Sequence, residues 1–218
     1  MPPFETIETR WFFDGDSSRY PVIRRWFETC APFPKSADVR VPEWKGRTDG
    51  RPDVYLLMPG CTDMGIKWRE GTLQIKGRVE DLGTRRFGSR HEGRVQRWIK
   101  WTYEEVPPAC RSLFSAGANS ALETAAVHKT RALRMISLES GAPEEVAPGV
   151  VLQRGIGFEM TDLERDGKRY CSIAFEAFPD DAVTAAGFDA VVAGFLEELA
   201  DITLDIDASM SYPDWLRG

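Results

Sequence analysis

Two cationic side chains separated by one residue recur three times in this chain: Lys67 and Arg69, Lys76 and Arg78, and Lys129 and Arg131. Alternate residues of a β-strand point to the same face, so each pair presents two positive charges on one side of its strand. The first two pairs lie in runs that read as neighbouring strands, Met64 to Arg69 and Thr72 to Lys76. Glu70 and Gly71 between them suit a tight hairpin. The intervening Ile66, Trp68, Leu73 and Ile75 are apolar and are expected on the opposite face. Adjacent strands with like charges on one face repel unless an anion lies among them. One such pair fits a solvated strand face. Three in an acidic chain predict a local anion site of polyphosphate dimensions.

A triphosphate spreads its charge along its length and needs cations from several directions, not a single helix terminus. Arg10, Lys67, Arg69, Lys76, Lys129 and Arg131 come from four separate predicted strands and are the candidate phosphate-binding residues. An arginine grips two phosphate oxygens at once, whereas a lysine acts as a compact charge. Arg78 and Lys100 read instead as surface cations. Glu8, Glu159 and Glu176, each inside a predicted strand, are the candidate ligands of a divalent metal, Mg²⁺ or Mn²⁺. Such ions take carboxylate oxygens and keep several waters while phosphate completes their shell. A bound ion would neutralise developing charge and orient a water toward the terminal phosphorus. The alternative role for the three glutamates, compensation of the neighbouring cations, stays open. Trp68, Trp98 and Trp101 are assigned to packing between sheet and helices.

A net charge of −6 argues against nucleic-acid binding, which relies on basic surface to displace counterions. Cys30, Cys61, Cys110 and Cys171 form no C-x-x-C pair and read as reduced thiols, neither a disulfide frame nor a zinc site. His91 and His128 are the only histidines, and neither has a nucleophile motif nearby, which sets aside a Ser-His or Cys-His hydrolase. No apolar run approaches the ~20 residues that span a bilayer. Met1 to Glu5 lacks the basic and apolar regions of a signal peptide, so the expected location is the cytoplasm, with no membrane partner. The expected partner is a small-molecule triphosphate or polyphosphate, and a homodimer is an open alternative. Neither repeats, low-complexity segments nor a long linker divide residues 1–218, which read as one domain.

The elements that must position these side chains are mostly strands. Phe4 to Phe13 alternates as a strand, and Asp16, Ser17 or Ser18 is placed to cap a helix from Arg19 to Cys30. Ala31 to Asp53 reads as loop with a short strand at Ala37 to Val41. Strands follow at Val54 to Met58, Gly65 to Arg69, Leu73 to Lys76, Val95 to Tyr103, Ala125 to Ile136, Val151 to Asp162 and Arg169 to Phe178. A short helix is expected after Pro107 and Pro108, and a hairpin turn at Asp166 and Gly167. Asp180 and Asp181 precede an amphipathic helix, Ala182 to Leu199, with Phe188, Val191, Val192 and Phe195 as its buried stripe. The fold class is α+β, with a predominantly antiparallel sheet that curls or closes into a barrel to protect its edges. If the charged faces turn inward, the lumen is a hydrated pocket and not a core.

In this order the residues resemble the CYTH domains, or triphosphate tunnel metalloenzymes, over about residues 4 to 217. The opening E-x-E-x-K strand of that family is similar to Thr6 to Arg10, which keeps the second acidic position as Glu8 and the cation as Arg10. Its Tyr-containing strand, R-x-R and strand ending in Lys resemble Asp53 to Leu56, Lys67 to Arg69 and Leu73 to Lys76. Its later K-x-R resembles Lys129 to Arg131, its late E-x-E resembles Ala174 to Glu176, and its terminal Ser-Tyr resembles Ser211 and Tyr212. The resemblance implies a closed antiparallel tunnel of about eight strands. Within it, basic residues hold a triphosphate and glutamates hold Mg²⁺ or Mn²⁺ for hydrolysis or cyclisation. Thr6 and Ala174 stand where the family has glutamates, which removes two expected carboxylates and leaves the anion-binding positions intact. A non-catalytic phosphate-binding module and an interaction scaffold are therefore the alternatives to a triphosphatase.

Overall fold

The computed structural model describes residues 3–39, 44–46, 52–114, 123–147 and 149–218. Along them run β1 (Phe4–Asp14), α1 (Arg19–Thr29), β2 (Lys45–Gly46), β3 (Asp53–Leu56), β4 (Met64–Arg69), β5 (Thr72–Phe87) and β6 (His91–Tyr103). After these come α2 (Pro108–Ser112), β7 (Thr124–Ser137), β8 (Glu144–Val146), β9 (Gly155–Arg165), β10 (Lys168–Phe178), α3 (Ala182–Glu197) and α4 (Tyr212–Trp215). Antiparallel pairing in the order β7, β3, β4, β5, β6, β1, β10, β9 and back to β7 closes an eight-stranded barrel. The short β2 and β8 pair with β7 farther along the edge that β3 begins. Closure leaves no open ladder edge on the ring.

The tight turns come from local chemistry. Glu70 and Gly71 both have positive φ, +47° and +86°, and join β4 to β5 in two residues. Asp166 and Gly167 do the same between β9 and β10, at +52° and +73°. Turns of this kind match the right-handed twist of the strands they join.

The main hydrophobic core lies outside the ring. Ile7, Trp11, Ile173, Phe175, Phe158 and Met160 face outward from β1, β10 and β9 and are buried beneath α1 and α3. Phe158 stacks on Phe175 at 4.5 Å, and Phe195 of α3 closes on Phe158 at the same centroid distance. The Asp181 side chain caps α3 by accepting from the Thr184 amide at 2.8 Å, and its stripe of Phe188, Val191, Val192 and Phe195 is fully buried. Each such side chain contributes about 1.5–3 kcal/mol of burial. With most of its apolar residues on the outer face, the alternation leaves the inner face polar except at one end, where Phe12, Val127 and Leu163 cluster.

One end of the barrel is closed by the chain's own C-terminus. β6 follows β1 only from Phe4 to Thr9. Beyond that point Ser209 bridges to Trp11, and the Met210 amide donates to the Arg10 carbonyl at 3.1 Å. Helix α4, capped by Ser211, then lays Trp215 and Leu216 against Phe12, Tyr55 and Leu163.

Several boundaries differ from expectation. β5 runs on to Phe87 instead of ending at Lys76, because two register shifts after Arg78 and Asp81 let it bend with β6 toward α3. There Arg85 meets Asp189, and Phe87 meets Phe188. β9 begins at Gly155, so Val151 to Arg154 are not strand. Ala37 and Asp38 form a turn, and Arg40 and Val41 of the expected strand lie outside the described residues. None of Asp16, Ser17 or Ser18 caps α1 through its side chain. Asp14 instead organises that turn, through its carboxylate and carbonyl. No helix among the described residues is long and apolar enough to cross a membrane.

Candidate functional site

A cavity of about 380 Å³ occupies the lumen. Arg10, Lys67, Arg69, Lys76, Lys129, Arg131, Glu8, Glu159 and Glu176, the nine side chains singled out from sequence, all line it. Register explains this convergence. Glu8 is opposite Glu176, Arg10 is in line with Ala174 and Glu159, and Arg131 is opposite Thr161, so alternation turns all of them the same way. Arg78, at the register shift where β5 bends, is not in the lining.

The deepest part is organised by Asp53 of β3, a fully buried carboxylate. Arg69 donates to it twice, Nε to Oδ1 at 2.8 Å and Nη2 to Oδ2 at 2.6 Å. Lys67 reaches Oδ2 at 3.3 Å and Lys129 lies 3.6 Å from the same oxygen. Burial works against the Asp53 anion, but Arg69, Lys67 and Lys129 outweigh it and hold the carboxyl well below its usual range. The Lys129 ammonium donates to Tyr55 Oη at 2.6 Å and sits 3.9 Å from the Tyr212 ring centroid. Burial lowers its pKa to about 7, with Arg69 and Arg10 adding to the effect and Asp53 opposing it. Burial likewise pushes Lys67 well below the ordinary lysine value.

Arg10 reaches past Ala174 to Glu159 at 3.1 Å and also donates to Ser172 at 3.0 Å. Thr161 donates to the same Glu159 oxygen at 2.9 Å, and Arg131 meets the other at 3.3 Å. Burial disfavours the Glu159 anion, yet Arg10 and Arg131 hold its pKa down at about 2. Arg131 is the half-exposed member, at 51% of its side chain, against 10% for Lys129 and 12% for Arg10.

Glu8 and Glu176 form the third group. Lys76 contacts a Glu8 carboxylate oxygen and lies 3.5 Å from Glu176, while Thr6 donates to the same Glu8 oxygen at 2.6 Å. Burial and then the Glu176 charge raise the Glu8 pKa. Glu176 is lowered despite burial, by Lys76 and then Lys100. Lys76 is raised, since Glu176 and Glu8 outweigh the cost of its burial.

The residues do not fit a carboxylate cage for Mg²⁺ or Mn²⁺. No group of three or more His, Cys, Asp or Glu among the described residues is placed to hold a metal ion. One oxygen of Glu8 and both oxygens of Glu159 already accept from cations and hydroxyls of the chain.

The sequence reading did not anticipate the wall formed by β6. Lys100, read there as a surface cation, lines the cavity together with Arg94 and Gln96. So does Trp98, which was assigned to packing between sheet and helices. It is buried, and Lys76 sits 5.8 Å from its ring centroid. Gln96 is 4% exposed, and its Nε2 has no hydrogen-bond partner, a buried donor on the cavity wall. Pairing with β1, which sets Trp98 opposite Thr6 and Gln96 opposite Glu8, is what turns them inward.

No protein-family model matches the chain, and no curated protein matches it. Among solved structures, a conserved hypothetical protein from Pyrococcus furiosus is similar at 12% sequence identity with a TM-score of 0.44. The alignment covers 96% of this chain and 98% of that one.

In a protein of net charge −6, the described lining holds eight lysines and arginines against four glutamates, with Asp53 directly behind. Cations within a low-dielectric barrel repel one another, a repulsion that an anion among them would offset. Arginine forks at Arg10, Arg69 and Arg131 suit phosphoryl oxygens, and Gln96 offers a neutral donor to the same kind of acceptor.

Proposed function

We propose that this chain is a divergent CYTH-like tunnel protein whose barrel binds a triphosphate or polyphosphate-containing small molecule in the cytoplasm. The observation that supports this reading is the two-to-one excess of cationic over carboxylate side chains lining one cavity of an acidic protein. Six of those cations come from four different strands, as a ligand charged along its whole length requires: Arg10 from β1, Lys67 and Arg69 from β4, Lys76 from β5, Lys129 and Arg131 from β7. Metal-dependent triphosphate hydrolysis, which the CYTH resemblance implies, needs carboxylates open to a divalent ion. The engagement of Glu8, Glu159 and Glu176 by Lys76, Arg10 and Arg131 favours binding without turnover.

The test is thermal denaturation with inorganic triphosphate, thiamine triphosphate and ATP, paired with a phosphate-release assay with and without Mg²⁺ or Mn²⁺. A ligand that binds only the native state stabilises it by about 2.7 kcal/mol at a hundred times its Kd. Arg131→Met removes a half-exposed cation with one ion pair at 3.3 Å. It should leave the empty protein within about 1 kcal/mol of wild type, as exposed pairs do, while weakening triphosphate binding severalfold. No stabilisation by any phosphorylated compound would refute the proposal. Metal-dependent phosphate release that disappears in Glu176→Ala would replace the binding module with a triphosphatase.

A further inference from the structure

Glu8 on β1 and Glu176 on β10 are direct cross-strand partners, both facing the lumen. Like charges in such a pair lie close enough to destabilise the sheet unless something positive intervenes. Lys76 supplies it from β5, a strand paired with neither β1 nor β10. Its ammonium reaches both carboxylates, and the Thr6 hydroxyl donates to the Glu8 oxygen that Lys76 also contacts. The next carboxylate of the lumen, Glu159, is held by Arg10 and Thr161 on one oxygen and by Arg131 on the other. A divalent ion entering this wall would meet an ammonium or a guanidinium already beside each glutamate.

We infer that Lys76 does in this chain what a divalent cation does between paired carboxylates, so that the cavity takes a polyphosphate in metal-free form. This rests on the polyphosphate reading above. The ammonium carries one charge against two carboxylates, and Lys100, on the adjacent β6, adds its charge to the field at Glu176. The wall is thereby close to neutral, and the remaining cations, Arg10, Lys67, Arg69, Arg94, Lys129 and Arg131, are left to meet the ligand. A magnesium polyphosphate would bring a second cation to a wall already compensated, where Lys76 repels it. The free anion meets no such repulsion.

Two measurements test this. Mn²⁺ binding to the ligand-free protein is followed by electron paramagnetic resonance for wild type, Lys76→Gln, Lys76→Met and Lys76→Arg. Two carboxylates with their internal cation removed should bind Mn²⁺ at least ~tenfold more tightly in the Gln and Met variants than in wild type. Lys76→Arg, which keeps the charge, should behave as wild type. Separately, calorimetric titration of wild type with inorganic triphosphate is performed in resin-stripped buffer and again with Mg²⁺. The stripped buffer should give equal or tighter binding. Wild-type uptake of Mn²⁺ as tight as that of Lys76→Gln would overturn the inference, as would a tenfold loss of triphosphate affinity on stripping. Should the Gln and Met variants fail to fold, the wild-type titration with and without Mg²⁺ still decides it through the second outcome. Absence of triphosphate binding in both buffers would instead sink the polyphosphate reading, and with it the metal-free ligand. The Mn²⁺ comparison would then still report whether Lys76 stands in for a cation.

Discussion

Asp53 and Arg69 face each other from the paired strands β3 and β4 and share two hydrogen bonds, 2.8 and 2.6 Å long, around a carboxylate with no exposed surface. Lys67 and Lys129 share the same anion. Removing it leaves three cations converging on nothing. Breaking a buried pair from one side costs about 3–5 kcal/mol, and that loss is expected of Asp53→Ala in urea denaturation. Sulfate or triphosphate should then raise the variant's melting temperature by more than it raises that of wild type, because an external anion replaces the lost carboxylate. A variant that is destabilised but no more responsive to anions would show that the cluster cannot exchange its carboxylate for a ligand.

The acid limb of stability should report on Glu159. Its folded pKa is depressed from 4.5 to about 2, chiefly through Arg10 and then Arg131 acting against burial. A carboxyl that is more acidic when folded contributes stability above its unfolded pKa and loses it as pH falls through the folded one. Denaturation midpoints should therefore fall between pH 4.5 and about 2, and Glu159→Gln should flatten that part of the profile. The variant should also be less stable than wild type at pH 7, where the contribution is fully present.

Lys129 should act in the opposite sense. Asp53 and Tyr55 of β3, Arg69 of β4, Arg10 of β1, Glu159 of β9 and the ring of Tyr212 surround its ammonium. Burial lowers its pKa from 10.5 to about 7. The unfolded chain then binds the proton more readily than the folded one. The resulting destabilisation is fully present below pH 7 and fades as pH rises toward 10.5. Lys129→Met should be more stable than wild type at pH 6 and lose that advantage by pH 10. Sulfate, which does not titrate in this range, should bind wild type more weakly as pH rises above 7. The limit is about tenfold per pH unit. The slope should shrink in Lys129→Met, leaving the part that Lys67 contributes.

The plug at the closed end should couple stability to binding. Trp215 stacks on Phe12 at 5.0 Å with the rings 5° apart, and Tyr212, in the same short helix, lies 6.0 Å from Tyr55. Trp215→Ala should cost about 3–5 kcal/mol, as loss of a large buried aromatic does. Because Ser211, Tyr212 and Pro213 form part of the cavity wall, triphosphate affinity should fall as well. Undiminished affinity in a well-folded variant would separate the plug from the site.

The features visible in the sequence are those set by residues close along the chain. Glu70 with Gly71 and Asp166 with Gly167 dictate two-residue turns through their backbone preferences. Asp181 caps α3, and the spacing of Phe188, Val191, Val192 and Phe195 marks its buried face. The i, i+2 cations assign themselves to one face because a strand alternates with period two. That places Lys67 with Arg69, and Lys129 with Arg131, on one face of their strands whatever the strands then pack against.

Only the tertiary structure decided what those faces meet. Asp53 receives its hydrogen bonds from side chains 14 and 16 positions away, and no local pattern distinguishes it from a loop aspartate. On β6 both alternating faces mix polar and aromatic residues, so pairing with β1 alone determined that Gln96, Trp98 and Lys100 turn inward. The bend of β5 away from the ring and the entry of Tyr212 and Trp215 into its end depend on contacts with α3 and Phe12. Hydrophobic periodicity names the faces of a strand. Whether a polar face becomes surface or lumen depends on ring closure, which is a property of eight strands together and of no one of them.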